Sequence, residues 1–563
     1  MIKQKKYRFN PSKYKHVLFL FGFSLFLIGC QSNSKSPSKT VYKSPLANND
    51  FFQEIGQEIG LDFVHSIGAK EMTNIVESVG GGAAFLDYDQ DGFIDIYTCS
   101  GTWLKGFSKS EKPSNASTNH LYHNLKDGTF EEVTEKAGVG GPWYSMGVTV
   151  GDFNNDGFPD IYVSNYGPNT LYKNNGDGTF ADITKSAKVG GGKECSVGVV
   201  WLDFDNDGLL DLYVGNYLNF DPDYKYFYAP DGFPGPLAYD SQPDVLYHNL
   251  GHDTFEDVTA KMGIADLDGR AMGVAAADID DDGFVDIYVA NDHTANYLWH
   301  NNAGKSFTDK GTMSGTGFSQ AGEATVSMSV DFADFNGDEL LDMFVSDDNY
   351  CSLYQNLGNG LFNDNSYASG IATASGQFVG WSSSFLDYDN DGDADIFKTN
   401  GELKHLYGQE DQLFENVENG TFKDVSVERG DYFKKESIGR GACTGDFDND
   451  GDLDIYIVNL DSQSRFLRNN KGNQNNWLIL NLIGQSSNRD GIGARIKLIA
   501  GGKTQSAQKK SASGYLSQND SRIHFGLDKN TDIEKIEIKW PSGKFQVLEH
   551  LKANQIITAK EPQ

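Results

Sequence analysis

Positive charge is scarce in this 563-residue chain: 47 Lys and Arg stand against 79 Asp and Glu, for a net charge of −32. Residues 1–29 hold six of the basic residues and no acid, so the rest of the chain stands at −38. Such a balance excludes nucleic acid and anionic lipid surfaces as natural partners. Long apolar runs at helical spacing are missing too, so helix content should be low. Cysteine is rare, and no C-x-x-C occurs; Cys99, Cys195, Cys351 and Cys443 stand far apart and read as buried thiols rather than bridges. Also absent are G-x-S-x-G, H-E-x-x-H and P-loop motifs, and the eleven histidines are scattered. No nucleophile or zinc-hydrolase constellation is therefore legible.

What is present begins with an address. A basic stretch precedes the apolar run Val17 to Ile28, which is too short to span a bilayer and suits a signal segment. It ends in Leu27-Ile28-Gly29-Cys30, which resembles the bacterial lipobox, whose cysteine is lipidated. Residues 1–29 are read as a lipoprotein signal peptide, and residues 30–50, rich in Ser, Lys and Pro, as a flexible tether from a lipidated Cys30. The expectation is an exported bacterial lipoprotein at the outer membrane or cell surface, joined to the membrane through its lipid.

The 63 glycines, 27 tyrosines and 37 phenylalanines point to a turn-rich β protein, and its periodicity is internal. The element D-x-[DN]-x-D-[GE]-x-x-D begins at Asp87, Asp152, Asp203, Asp278, Asp334, Asp387 and Asp446, spacings long enough for a four-stranded blade each. A second element ends at Asn124, Asn174, Asn249, Asn301, Asn356, Asn416 and Asn469. A third, of the type DGTFEEVTEKAG, follows only the first six of these, and its missing copy stands at the other end of the chain, in FFQEIGQEIGL. A linear array has no use for that permutation, whereas a closed ring needs an N-terminal strand to complete its last repeat. The sequence thus predicts an all-β protein: a seven-bladed β-propeller over 51–472, then a small β-sandwich-like domain over 473–563. Small residues recur seven and five positions before each loop, as at Gly80 and Gly82 or Gly439 and Gly441, as suits strands crowded round an axis.

Each nonapeptide offers oxygen at positions one, three, five and nine, the ligand chemistry of a hard divalent cation. The candidate ligands are Asp87, Asp89, Asp91 and Asp95; Asp152, Asn154, Asp156 and Asp160; Asp203, Asp205, Asp207 and Asp211; and Asp278, Asp280, Asp282 and Asp286. The remaining three loops supply Asp334, Asn336, Asp338 and Asp342; Asp387, Asp389, Asp391 and Asp395; and Asp446, Asp448, Asp450 and Asp454. Up to seven structural Ca²⁺ ions are expected, since the filled ligand positions leave little open coordination for catalysis. Loop five departs from the pattern, with Glu339 where the others have glycine.

After Asn469 the acidic grammar stops, and short strands alternate with turns. The loops and their aromatic strands resemble FG-GAP/VCBS repeats of the integrin-α propeller type. The tail carries Ser487-Asn488-Arg489-Asp490-Gly491-Ile492-Gly493-Ala494-Arg495, Gly514-Tyr515-Leu516-Ser517-Gln518, His524-Phe525-Gly526-Leu527 and Trp540-Pro541-Ser542-Gly543. This ordered set is similar to the ASPIC/UnbV domain that follows such a propeller in the cartilage acidic protein family. The resemblance implies a propeller, a β domain and bound calcium, but no agreed reaction.

Two places suggest a ligand. An aromatic insertion after blade three carries Tyr224, Tyr226 and Tyr228 among other rings, suited to stacking on a sugar or meeting a peptide. Five residues beyond each loop stand residues that would ring one mouth of the channel, among them Asn165, Asn216, Asn291, Asn400 and Asn459. The reading is a calcium-stabilised binding or scaffold module for a glycan or protein. The enzymatic alternative is a propeller lyase that would use Arg270 and Arg440 on an acidic polysaccharide.

Overall fold

Phe52, Gln53 and Glu54 pair antiparallel with Asn469, Arg468 and Leu467, so the first strand of the fold is the outermost strand of its last blade. The computed structural model describes residues 50–563 apart from 109–111, 113–116, 225–231, 265–267 and 419. The signal segment, Cys30, Tyr226 and Tyr228 lie outside the described residues.

Seven four-stranded antiparallel sheets follow one another round the ring. Blade one is typical, with Ala83–Leu86 innermost, then Asp95–Thr98, His120–Asn124 and Phe130–Glu132. The other innermost strands are Tyr144–Gly151, Ser196–Leu202, Ala271–Ala277, Ser327–Ala333, Gly380–Leu386 and Gly439–Gly445. Each packs on the next, and Gly439–Gly445 packs on Ala83–Leu86, which closes the circle. Apolar side chains from neighbouring sheets bury one another between the blades. Phe85 and Ile96 of blade one meet Cys443 and Phe466 of blade seven, and Val199 and Trp201 of blade three meet Tyr162 and Leu171 of blade two. Four cysteines are free and buried, Cys99, Cys351 and Cys443 in such layers and Cys195 near the axis.

The repeated asparagine explains how adjacent blades are locked. The Asn124 side-chain amide donates to the carbonyls of Ile94 in its own loop (3.1 Å) and of Phe447 in loop seven (2.9 Å). Asn174 reaches Tyr88 of loop one, Asn249 reaches Phe153, Asn301 reaches Phe204, Asn356 reaches Ile279, Asn416 reaches Phe335 and Asn469 reaches Tyr388. The same hydrogen bond therefore runs once round the ring.

The C-terminal domain has a three-stranded sheet (Ile523–Asp528, Asn476–Ile483, Gln555–Lys560) and a four-stranded one (Lys503–Gln508, Arg495–Ala500, Asp532–Lys539, Phe545–Lys552). Leu480, Ile496, Phe525, Ile536 and Trp540 belong to its buried core. Between Lys503–Gln508 and Ile523–Asp528 the chain leaves the domain and enters the propeller axis. Tyr515 and Leu516 are buried there among Met146, Val197, Met272, Met328 and Trp381. The Leu516 carbonyl accepts from Val148 N–H (3.1 Å), and Gln518 exchanges backbone bonds with Ala83 and Phe85 (2.9 and 3.1 Å). The small axial residues make room for this plug. A Cβ on Gly82 would lie 2.1 Å from the Leu516 carbonyl oxygen, and one on Gly441 2.6 Å from Ser517 Oγ.

Candidate metal centres and the faces of the propeller

In every loop the backbone turns the carboxylates inward before any ion is considered. Position four has a positive φ throughout, as at Gln90 (57°) and Asn155 (59°), and so does position six, as at Gly92 (89°). Glycine suits position six because left-handed backbone strains other residues. Glu339 nevertheless adopts φ 71°, so loop five keeps the shape of the others, and its carboxylate pairs with Lys497 of the C-terminal domain at 2.5 Å. The position-one carboxylate accepts from the backbone of positions five and six, as Asp87 does from Asp91 and Gly92 (both 2.9 Å). The position-nine carboxylate accepts from the repeat asparagine, as Asp95 does from Asn124 N–H at 2.8 Å.

This geometry converges oxygen atoms. One oxygen each from Asp87, Asp89 and Asp95 lie within 4.8 Å of one another, as do those of Asp203, Asp205 and Asp211. Burial lifts the carboxyls of Asp95, Asp152 and Asp203 to about 7 and those of Asp342 and Asp446 to about 8. It lifts Asp160, Asp211, Asp395 and Asp454 well above the carboxylate range. The enclosed oxygens Asp203 Oδ1, Asp278 Oδ1, Asp280 Oδ1 and Asp389 Oδ1 have no hydrogen-bond partner. Buried, clustered and partly unpartnered acids are costly unless a cation joins them, so the residues fit the expected ions.

Beside three loops the residue preceding the repeat asparagine is a histidine. His123 Nδ1 lies 3.1 Å from Asp95 and His300 Nδ1 3.1 Å from Asp286, and the bond to its aspartate raises each imidazole pKa. His248 Nε2 lies 3.2 Å from Asp205. The sequence places these rings in the strand beside the loop but not in reach of its carboxylates.

The C-terminal domain sits on the loops. Asp490 accepts from Asp152 N–H (2.8 Å), Asn488 donates to Asp203 (3.3 Å), and Arg495 pairs with Asp281 (2.8 Å). Arg522 donates to the Asp446 carbonyl (2.7 Å), and Trp477 packs so tightly on Gly451 that a Cβ there would lie 1.8 Å from its ring. The SNRDGIGAR and GYLSQ segments are thus the loop-covering edge and the axial plug.

At the other end of the axis the asparagine ring is not the open mouth expected. Asn165, Asn216, Asn291, Asn400 and Asn459 are at most 1% exposed. Their amides donate to Pro168, Pro243, Ala295, Glu410 and Gln463 carbonyls of their own blades, because an amide at a strand end bonds the turn beside it. Tyr224 is half-buried and packs on Tyr239, with ring centroids 5.5 Å apart, in a cap with Tyr217, Phe220 and Phe233. Nor do the arginines face a substrate. Arg440 is fully buried over Trp381 (3.6 Å) and donates to carbonyls of Ser78, Gly439 and Glu402, while Arg270 donates to the Tyr239 carbonyl. The observation that favoured a lyase is thereby removed.

The family profiles agree with this architecture. The profile of the FG-GAP-like repeat matches residues 87–163, 152–214, 231–289, 278–345 and 334–397, and that of ASPIC and UnbV matches 484–563. Cartilage acidic protein 1 of Homo sapiens is 26% identical over 62% of this chain and 50% of its own length. The Mus musculus protein is 24% identical over 82% of this chain and 70% of its own. The chain therefore spans about half the length of the human relative. Among solved structures, an Agrocybe aegerita lectin that recognises non-reducing terminal N-acetylglucosamine aligns with 73% of this chain and 94% of its own at TM-score 0.38 and 16% identity. YCF48 bound to D1 peptide aligns with 76% of this chain and 96% of its own at TM-score 0.40 and 8% identity. The repeat profile alone spans more than half of the residues, on blades built round the acidic loops, and this chain belongs to the FG-GAP-like repeat family and ends in an ASPIC and UnbV domain.

Proposed function

We propose that the chain is an exported, lipid-anchored binding module, made rigid by up to seven calcium ions, whose glycan or protein partner meets the face opposite the acidic loops. One observation carries this reading: the C-terminal domain and its plug occupy the loop face and the axis. Recognition is thereby left to the face carrying the aromatic cap, and long loops on a rigid scaffold are where binding commonly resides. Calcium is favoured over magnesium because the loops offer several oxygens in irregular geometry. The −38 of the chain beyond residue 29 falls to −24 with seven divalent ions, which eases its self-repulsion. Leu27-Ile28-Gly29-Cys30 supports the anchor.

The test is a glycan and protein array probed with the mature chain, calcium-loaded and chelator-stripped, alongside metal analysis of the loaded protein. Several calcium ions per chain and a partner retained only by the loaded form are expected. A loaded protein with no bound calcium would refute the metal assignment. Binding that survives removal of the cap loop but not of the C-terminal domain would refute the choice of face. Loss of membrane retention in Cys30→Ala tests the anchor.

A further inference from the structure

Above the plug, at the end of the axis away from the acidic loops, lies a cavity of about 190 Å³. Most of its wall is apolar: Val79, Phe233, Met272, Val326, Met328 and Trp381 all face it. One side is different. Asp292, 4% exposed, accepts from the Tyr217 hydroxyl (2.5 Å) and lies 2.7 Å from His293 Nδ1. Next to it Asp348 lines the cavity, its Oδ1 enclosed with no donor in reach and its carboxyl hydrogen-bonded to that of Asp347. Asp347, also 4% exposed, adjoins Asp348 and accepts from Val326 and Asn349 N–H (2.9 and 3.0 Å).

Two carboxylates, Asp292 and Asp348, on one wall of an otherwise apolar cavity, with Asp347 paired to the second, are an expensive arrangement without a complementary cation. The cations of the chain nearby do not supply it fully. His293 serves Asp292, Lys404 at the rim makes no ion pair among the described residues, and the Arg440 guanidinium lies against the Trp381 ring and is engaged by carbonyls. A divalent metal would leave the methionines and rings unused, whereas an ammonium on a hydrocarbon stem uses both walls. Aromatic and thioether groups suit the stem, and a desolvated carboxylate suits the head.

We infer that this cavity binds a primary alkylammonium group about the size of a lysine side chain, its nitrogen at Asp348 and Asp292 and its stem against Met272, Met328 and Trp381. The ligand is a free alkylamine or a lysine carried by a partner chain, and the inference rests on the cap face being the recognition face.

Calorimetry on the calcium-loaded mature chain tests it, with n-pentylamine as the probe and n-pentanol as its neutral counterpart. A lysine peptide blocked at its amino terminus, with a norleucine control, forms the second arm. Pentylamine should bind and pentanol should not. Asp348→Asn, which keeps shape, should weaken pentylamine about ten-fold or more while the melting temperature and calcium content stay put. Binding by the peptide as well assigns the source to a polypeptide, and binding by the free amine alone assigns it to a small molecule. Equal binding of amine and alcohol, no binding of either, or an unaffected Asp348→Asn variant overturns the inference. An array partner retained by the loaded protein in that case leaves the proposed function standing.

Discussion

Asn124 and Phe447 are 323 residues apart, and the hydrogen bond between the side-chain amide of one and the carbonyl of the other, at 2.9 Å, joins blade one to blade seven. Asn124→Ala removes the donor from that carbonyl and from the Ile94 carbonyl, leaving both buried without it. A buried polar group deprived of its partner costs roughly 1–3 kcal/mol, so for two carbonyls a loss of about 2–6 kcal/mol is expected. Denaturant titration beside Lys136→Ala, on the exposed side of the same blade, measures it. Equal midpoints for the two variants would show that the asparagine bonds do not bind the ring.

A second prediction concerns the axis. Gly82 has no positive φ that would by itself forbid a side chain, yet a Cβ there meets the Leu516 carbonyl at 2.1 Å and the Gly147 Cα at 2.9 Å. Overpacking at a rigid site typically costs about 1–3 kcal/mol. Gly82→Ala should therefore lower the melting temperature and speed protease cleavage within 509–521. A variant with an unchanged protease pattern would mean that the plug tolerates displacement.

The ring, the acidic loops and the strand that closes blade seven are legible in the sequence because each rests on local spacing. Four oxygens at one, three, five and nine fix a loop whatever surrounds it, and a missing repeat element at one end implies its presence at the other. The plug has no such signature. KKSASGYLSQND carries no period, and its partners, such as Ala83 N–H on Ser517 Oγ, lie 434 residues away. The small axial residues show that the axis is crowded, but not by what. Asn165 and its counterparts mislead for a related reason: symmetry places them round one mouth, while only the neighbouring turn reveals that their amides point into their own blades.

The raised carboxyls give the metal-free protein an unusual pH response. An aspartate is ordinarily near 3.8, whereas Asp342 and Asp446 stand at about 8 and Asp152 and Asp203 at about 7 in the fold, chiefly through burial. A raised carboxyl favours the fold while protonated, so its contribution is whole below the unfolded value and disappears as pH climbs through the folded one. The stripped propeller should therefore melt at progressively lower temperature from about pH 4 to about pH 8. Saturating calcium, which neutralises the same groups, should flatten or reverse that slope. Melting curves across this range check it, and a stripped protein that gains stability toward pH 8 would contradict the burial of these acids.

The last prediction joins the two parts of the fold. Asn488, Asp490, Arg495, Lys497 and Arg522 of the C-terminal domain reach loops two, three, four, five and seven through polar contacts, and Trp477 lies on loop seven. With the proposed calcium removed, clustered carboxylates would repel one another, and the loops that shift are the surface on which the domain rests. Ligand linkage would contribute about 2.7 kcal/mol per occupied site at roughly 100 times the dissociation constant. Chelation should therefore loosen the domain before the blades separate, since apolar layers hold the blades together besides the asparagine bonds to the loops. Hydrogen exchange is the measurement: in EGTA, residues 476–483 and 509–521 should lose protection ahead of the middle strands such as Asp160–Tyr166 and Asp286–Asn291. Arg495→Ala should reproduce part of this loosening at saturating calcium, because it breaks a contact to loop four without removing an ion. Simultaneous loss of protection in both parts would mean that the propeller and its C-terminal domain unfold as one unit. Unchanged protection on thoroughly stripped protein would separate docking from the metal altogether.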